Sequence, residues 1–345
     1  MEKKVLIIYN SKDDLNKIKY VFDFIFSLPI NRYKINLIYV SLEDYKVIDD
    51  ETIILNNTDK QIETADFHIK RENSIQNIKT YEDLLKIKSQ KFIYNKQVLF
   101  GISNKLEEQP VKAKDGKTIN IDIFNTLFFH LSRIEEYLCP DELKDGHKRM
   151  SSSSHFLVKN KLERTPVIDE ISFWFLKMLD LHKEIASLKI MSHDIDVLIK
   201  YPSFYKFTRG VARILFRKKK FKGSLIKFMC YYFKSFVNKP DAFNTFSWLI
   251  NDGFFDKKII FFMSGGITKY DNFYSIEDSS LREVFANAKS KGYEIGLHPS
   301  YACYTNSSQF SKEKEKLEKV IQKEVVSSRQ HILHYEVTET PTILE

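Results

Sequence analysis

The sequence predicts an α/β protein made of two successive domains. Short apolar runs of strand length alternate with segments whose apolar residues recur at helical spacing, which is typical of parallel sheets. The chain has 345 residues, enough for two domains of ordinary size. A hydrophobic share of 43%, with 28 Phe and 18 Tyr, can fill sizeable cores. The alternation becomes regular near residue 188, so we expect domains at residues 1–187 and 188–345.

The first domain is predicted to be a small α/β unit. Apolar runs indicate strands at residues 4–9, 33–40, 52–55 and 96–102. Helical spacing of apolar residues predicts helices at residues 13–26, 122–138 and 166–182. No glycine-rich phosphate loop follows the first strand, so a Rossmann-type nucleotide site is not expected.

The second domain is predicted to alternate strands with helices. Strands are expected at residues 188–192, 259–263, 293–297 and 328–333, and helices at 241–250, 279–290 and 311–323. In such folds the chemistry collects where strands end. The polar residues at these ends are His193, Asp194, Asp196 and His298. We therefore expect a site at this edge of the sheet.

Cysteine usage and apolar patterning predict where the protein resides. Cys139, Cys230 and Cys303 are far apart and lack metal-ligand spacing, as expected of reduced thiols. The apolar run at the N-terminus is too short for a signal peptide, and no apolar stretch has membrane-spanning length. We therefore expect a cytoplasmic protein.

The net charge of +8 belongs to one segment. Residues 200–240 contain 12 Lys or Arg and no Asp or Glu, whereas the other residues are 42 basic and 46 acidic. Aromatic residues interleave the basic ones, and residues 211–216 and 225–236 could form amphipathic helices. Three interpretations stay open: a helical insertion with a solvated basic face, a surface for anionic lipid at the inner face of the membrane, and nucleic-acid binding, which no motif supports. The residues proposed for an anionic surface are Arg213, Arg217, Lys218, Lys219 and Lys220.

Three motifs in the second domain resemble those of the polysaccharide deacetylases. The sequence is SHDID at residues 192–196, EIGLHPSY at 294–301 and RQHIL at 329–333. These deacetylases are metal-dependent carbohydrate esterases (family 4) with the NodB homology domain. The similarity is closest to a bacterial branch with an extra N-terminal domain, which this chain resembles at residues 122–124, 133–138 and 164–170.

The resemblance implies a distorted β/α-barrel and a hydrolase of non-peptide carbon–nitrogen bonds. Its substrate would be an N-acetylated or O-acetylated cell-surface polysaccharide or lipid-linked sugar. The family's barrel continues past its third motif, whereas only 157 residues follow Leu188 here. We therefore expect a barrel truncated at its C-terminus. An inactive, deacetylase-like carbohydrate-binding or interaction protein is the alternative.

The resemblance also implies roles for single residues. Asp194 would be the general base, oriented by Arg329. Asp196 and His298 would hold a divalent metal ion, with zinc as the first choice and cobalt, nickel or manganese as alternatives.

The third metal ligand is open because the family's His-x-x-x-His motif is broken by Ala302, four residues after His298. His331 is the expected replacement. His193 is the alternative, either as a ligand or as a side chain that supports Asp196 or contacts substrate. Tyr301 is a candidate for hydrogen bonding to the sugar, or it packs in its loop.

Overall fold

A computed structural model of the chain describes residues 2–47, 51–71, 78–103, 107–198, 244–250, 253–271 and 274–345, together with Tyr205, Thr208, Arg209, Ala212 and Phe233. The chain divides into unit 1, Met1–Ala186, and unit 2, Ser187–Glu345. The predicted domain boundary lies one residue from this division. Both units combine helices with parallel strands, so the predicted α/β class is confirmed.

Unit 1 is built on a parallel sheet of five strands. In chain order the strands of this unit are β1 (Glu2–Tyr9), β2 (Lys34–Ser41), β3 (Thr52–Asn57), β4 (Phe67–Ile69), β5 (Lys88–Tyr94), β6 (Gln97–Ser103), β7 (Gln109–Pro110) and β8 (Thr118–Ile119). The main sheet has the order β2-β1-β3-β4-β8 with every neighbouring pair parallel, and a smaller sheet has the order β6-β5-β7.

Unit 1 has six α-helices among its described residues. They are α1 (Leu15–Ser27), α2 (Tyr81–Leu85), α3 (Ile123–Leu131), α4 (Ile134–Tyr137), α5 (Phe156–Lys159) and α6 (Val167–Met178). Of these, α1, α3 and α6 pack on one face of the main sheet. Val5 and Ile7 of β1 share a core with residues of α1, α3 and α6, whereas Leu6 and Ile8 face a smaller apolar cluster. Successive strand residues point to opposite faces, so a strand buried on both faces needs the continuous apolar run seen here.

The prediction of one helix over residues 122–138 is wrong, whereas the strand predicted at 96–102 is confirmed as β6. The helix expected over residues 122–138 is two helices, because Arg133 adopts a left-handed backbone conformation with φ 52° and ends the first one. Helical spacing of apolar residues continues across this break, so periodicity cannot reveal it. The strand expected at 96–102 is half of an antiparallel hairpin whose two-residue turn, Asn95 and Lys96, has positive φ at both positions.

Unit 2 contains an open parallel sheet in the order β11-β10-β9. Its strands are β9 (Ile190–Ile195), β10 (Lys257–Phe262) and β11 (Glu294–Leu297), and its helices are α7 (Phe246–Leu249), α8 (Ser279–Ser290), α9 (Ser307–Ile321) and α10 (Thr340–Leu344). A parallel bridge between Leu297 and Ser328 adds a fourth chain segment beside β11. The carboxyl ends of all these segments therefore meet at one edge.

The strand predicted at residues 328–333 is wrong beyond Ser328. Residues His331–Leu333 form a 3-10 turn instead, and Ile332 and Leu333 have φ of 57° and 54°. A β-branched residue in this region is a backbone outlier, and such outliers persist only where the surroundings impose them. The hydrogen bond from His331 Nε2 to the Tyr270 carbonyl oxygen supplies that constraint.

Most of the basic segment, residues 200–240, lies outside the described residues. The helices expected within residues 200–240 lie outside the described residues, apart from Ala212 and Phe233. The same holds for the five residues proposed for an anionic surface, Arg213, Arg217, Lys218, Lys219 and Lys220. Within the described ranges, no helix combines the length and the apolar character needed to cross a membrane.

Candidate metal centre

Three potential ligand atoms converge at the carboxyl edge of the sheet in unit 2. Asp196 follows β9, His298 follows β11, and His331 follows the bridged segment at Ser328. Asp196 Oδ1 lies 3.2 Å from His298 Nε2 and 3.7 Å from His331 Nδ1, and the two ring nitrogens are 3.0 Å apart. Over the described part of the chain, this is the one group of His, Cys, Asp or Glu side chains found close enough to share a metal ion.

The spacing of these atoms fits a small divalent ion. Three ligands at about 2.0–2.1 Å around a tetrahedral ion are about 3.3 Å from one another. The three observed distances, 3.0, 3.2 and 3.7 Å, bracket that value. Two imidazole nitrogens and one carboxylate oxygen also form a donor set that suits zinc and other first-row ions. The residues therefore fit a metal ion.

The proton positions on the two imidazoles support the same conclusion. His298 Nδ1 lies 2.5 Å from the carbonyl oxygen of Arg329, and His331 Nε2 lies 2.8 Å from that of Tyr270. A carbonyl oxygen only accepts, so these two nitrogens carry the protons. The opposite nitrogens then turn their lone pairs toward Asp196. Three acceptor atoms this close repel one another unless a cation or a proton lies among them, and backbone carbonyls commonly orient metal-binding histidines in this way.

The centre is buried on the histidine side and open on the carboxylate side. His298 and His331 are 3% and 7% exposed, whereas the Asp196 side chain is 56% exposed. When a proton rather than a cation lies among these atoms, the hydrogen bond from His298 holds the pKa of the Asp196 carboxyl below its ordinary value, partly offset by desolvation. The carboxylate is thus ionised at neutral pH, as a ligand must be, and its exposed side leaves room for water and substrate.

A second carboxylate stands beside the centre. Asp194 Oδ1 accepts a hydrogen bond from Arg329 Nη1 at 2.9 Å, and Arg329 Nη2 donates to Ser192 Oγ at 2.6 Å. Ser192 and Asp194 are alternate residues of β9 and therefore share a face. The guanidinium also lies 4.7 Å from the ring centre of Phe261 on β10. Three neighbours thus hold the Arg329 side chain in one position.

Arg329 connects the two parts of the site. Its guanidinium binds Asp194, while its backbone carbonyl accepts from His298, and its backbone N–H donates to Leu297 O at 3.0 Å. The backbone of Arg329 therefore orients a metal-ligand candidate, and its side chain orients the expected base. Only the side-chain role depends on the residue being arginine.

Two buried carboxylates that the sequence reasoning missed hold the loops around the centre. Asp271 is 4% exposed and accepts from the backbone N–H groups of Thr268 and Tyr301 at 2.6 and 2.7 Å. It ties the loop after β10, which supplies the Tyr270 carbonyl, to the loop after His298. The bond from Thr268 is local, whereas the bond from Tyr301 spans thirty residues and is to a backbone group, so no spacing in the sequence reveals it.

Glu313 on α9 is the second missed carboxylate and is 2% exposed. It accepts hydrogen bonds from Ser300 N at 2.8 Å, Ser300 Oγ at 2.6 Å and Gln309 Nε2 at 2.7 Å. Its carbonyl oxygen accepts from Ser264 Oγ at 2.7 Å. One signal could have found it: Glu313 precedes the buried Leu317 by four residues, which places a charge on the apolar face of the helix.

The remaining predicted residues lie around the centre without joining the three ligand atoms. His193 shares the core-facing side of β9 with Met191 and Ile195, opposite to Asp194, and burial lowers its pKa. The ring of Tyr301 lies 4.5 Å from that of Tyr270 and 4.4 Å from that of His334. Packing in its loop is therefore the observed environment of Tyr301.

The fold and this site define an α/β protein with a candidate three-ligand metal centre at the edge of a parallel sheet. The chain belongs to the family of unknown function DUF7033, whose model matches residues 6–184, or 179 of 345 residues. Comparison with curated proteins and with solved structures finds no match. The matched region ends before β9, so the family assignment concerns unit 1 and the candidate metal centre lies outside it.

Proposed function

We propose that unit 2 is a metal-dependent hydrolase of the polysaccharide deacetylase type. It would remove N-acetyl or O-acetyl groups from a polysaccharide or a lipid-linked sugar. The observation that carries the proposal is the convergence of Asp196, His298 and His331, with both imidazole lone pairs directed inward. The proposal includes zinc as the resident ion, and a β/α-barrel of the deacetylase type as the fold of which the open sheet is a part.

The residues divide the chemistry among them. A divalent ion in this site acidifies water and polarises an acetyl carbonyl oxygen. Asp194 accepts the proton of the attacking water on Oδ2, because Arg329 already occupies Oδ1. The Arg329 guanidinium holds the Asp194 carboxylate in one orientation for that transfer. The proposal also includes a hydrogen bond between the Tyr301 hydroxyl and the sugar.

Metal analysis of the purified protein tests the ligand assignment. We expect about one ion per chain in the parent protein and less than about a tenth of that in Asp196→Ala, His298→Ala and His331→Ala, because loss of one of three ligands exposes the ion to solvent and chelators. His193→Ala is the matched control and should keep its metal. Metal content that is unchanged in the three ligand variants would refute the assignment.

Acetate release tests the reaction itself. The metal-loaded protein should release acetate from N-acetylglucosamine oligomers or from O-acetylated oligosaccharides, and Asp194→Asn should bind metal but release about 100-fold less. Stoichiometric metal without any acetate release would favour a second candidate, a carbohydrate-binding or interaction protein on the same scaffold. Ala302 supports that candidate, because the polysaccharide deacetylase motif has a ligand histidine at the corresponding position.

We extend the proposal to peripheral membrane contact through the basic segment at residues 200–240, which would place the protein in the cytoplasm at the inner face of the membrane. The support is the run of 12 cationic residues with interleaved aromatics. Co-sedimentation with liposomes containing phosphatidylserine at low salt tests it. No binding to these vesicles would remove membrane contact from the proposal and leave the hydrolase intact.

A further inference from the structure

Unit 1 carries a second candidate site, far along the sequence from the metal centre. A cavity of about 580 Å³ opens where three strands of the main sheet end. Lys12, Asp13 and Asp14 come from the segment after β1, Asp59 follows β3, and Arg71 follows β4. The volume lies within the range of small-molecule binding sites, which is about 300–1,000 Å³.

The position of the cavity is the one at which open parallel sheets bind ligands. The chain passes from β1 to β2 on one side and then returns to β3 on the other side. The loops after β1 and β3 therefore diverge and leave a crevice between them at the carboxyl edge. The same crevice is bounded by Ile18 of α1 and by Phe124 and Phe128 of α3.

A buried polar side chain without a hydrogen-bond partner among the described residues lies two positions before Asp59, although it does not itself line the cavity. Asn57 ends β3 and is fully buried, and neither its side-chain oxygen nor its side-chain nitrogen has a partner among the described residues. Asn57 lies on the same strand face as Leu55. Leu55 packs in the core that also contains Ile18 and Phe124, two residues of the cavity wall. The Asn57 carbonyl oxygen accepts from Arg71 Nη1 at 3.2 Å. An amide buried in this way is costly unless water satisfies it, and because Asn57 does not line the cavity it is not counted among the ligand contacts.

The chemistry of the lining selects the class of ligand. Three cationic side chains, Lys12, Lys17 and Arg71, balance three carboxylates, Asp13, Asp14 and Asp59. The buried pair Arg71–Asp13 is in contact at 3.3 Å, and Lys17 lies 3.6 Å from Asp14. A polyanion such as a nucleotide would meet these carboxylates, and the segment after β1 lacks the glycines of a phosphate loop.

We propose that this cavity in unit 1 binds a neutral carbohydrate. Each sugar hydroxyl both donates and accepts, so it can use carboxylate oxygens and ammonium or amide groups side by side. Arg71 and Lys17 lie over the rings of Phe124 and Phe128, so we expect hydrogen bonds to the sugar hydroxyls, rather than ring stacking, to provide the recognition. The inference stands on unit 1 alone and does not require the metal centre to be a deacetylase. The proposal assigns a binding role to the region that matches the family of unknown function.

Calorimetric titration of the full-length protein tests the proposal. The probes are the neutral tetramers of N-acetylglucosamine, β-1,4-linked glucose and mannose. At least one should bind saturably, and Lys12→Ala and Asp59→Ala should weaken that binding about tenfold through lost hydrogen bonds to charged groups. Both positions are exposed, so the variants should fold, which circular dichroism verifies.

Matched control variants and competing ligands distinguish sugar binding in this cavity from binding elsewhere on the protein. Lys60→Ala and Glu63→Ala change exposed charges of unit 1 outside the cavity lining and should bind as the parent does. Binding should also survive Asp196→Ala in unit 2. The proposal is overturned if no neutral tetramer binds, if binding is lost only with Asp196→Ala, or if ADP or inorganic phosphate binds this cavity more tightly than every sugar.

Discussion

At the scale of single residues, Arg329 contributes to the candidate site through two different parts. Its carbonyl oxygen determines which nitrogen of His298 carries the proton, and its guanidinium holds Asp194. The sequence motif suggested only the guanidinium role. Since a backbone carbonyl is present whatever the side chain, substitution can separate the two contributions.

We predict that Arg329→Met keeps metal and loses turnover. The backbone bond to His298 remains, so metal content should stay near that of the parent. Acetate release should fall about 10- to 100-fold, because the charge-assisted hydrogen bond to Asp194 is lost. Arg282→Met, an exposed arginine on α8, is the control and should change neither quantity. A simultaneous loss of metal would show that Arg329 acts mainly through the fold.

Some residues of the candidate site could be predicted from the sequence, and others could not. Asp194, Asp196 and His298 lie at or just after strand ends, so their positions in the sequence were informative, whereas Arg329 was suggested only by the motif resemblance. His331 and His193 were the two candidates for the third ligand, and the convergence of His331 Nδ1 with Asp196 separates it from His193. Distances of this kind are properties of the folded chain.

At the scale of elements, the loop after β10 is held by close contacts. Gly266 has φ 104°, and a Cβ added there would lie 2.5 Å from Asp271 Cγ and 2.7 Å from Ser300 Cβ. Asp271 and Ser300 carry the hydrogen bonds that connect this loop with the loop after β11 and with α9. The close approach of two loops therefore requires a residue without a side chain.

We predict that Gly266→Ala disrupts the loops around the metal centre. The substitution combines a positive φ with a steric overlap, whereas Gly292→Ala, at φ 73° with nothing within 4 Å of the added Cβ, carries only the backbone cost. We expect about 1–2 kcal/mol of destabilisation for Gly292→Ala and about 1–3 kcal/mol more for Gly266→Ala. Urea unfolding of the metal-free protein measures both. Equal losses in the two variants would mean that the loop can move aside.

Elements also show where pattern and tertiary structure disagree. Helical periodicity predicted one helix over residues 122–138, yet Arg133 breaks it and pairs with Glu136 on the following turn. Apolar residues predicted a strand at 328–333, yet the hydrogen bond from His331 Nε2 to the Tyr270 carbonyl turns the backbone away after Ser328. In both places a local preference yielded to contacts made elsewhere in the unit.

At the scale of the whole molecule, the chain contains two compact units with separate cores and separate candidate sites. The ligand atoms of the metal centre come from three segments of unit 2, between β9 and His331. A bound ion thus links segments that are more than a hundred residues apart in sequence. Metal binding should stabilise this unit by mass action.

We predict that metal raises only one of two thermal unfolding transitions. With free zinc at about a thousand times its dissociation constant, unit 2 should gain about 4 kcal/mol, or roughly 8–16 °C in midpoint. The transition of unit 1 should not move, and EDTA should reverse the shift. Asp196→Ala should abolish the shift, whereas His193→Ala should retain it. A shift that persists in Asp196→Ala would place the ion elsewhere.

The sequence by itself determined the α/β class, the order of most strands and helices, and the residue types available at the strand ends, because periodicity and turn chemistry are local properties. Only the tertiary structure decided that Asp196, His298 and His331 share one site, that Asp271 and Glu313 hold its loops, and that a second cavity opens between β1 and β3. These features depend on distances between segments far apart in the chain, and such distances are set by packing rather than by local preference.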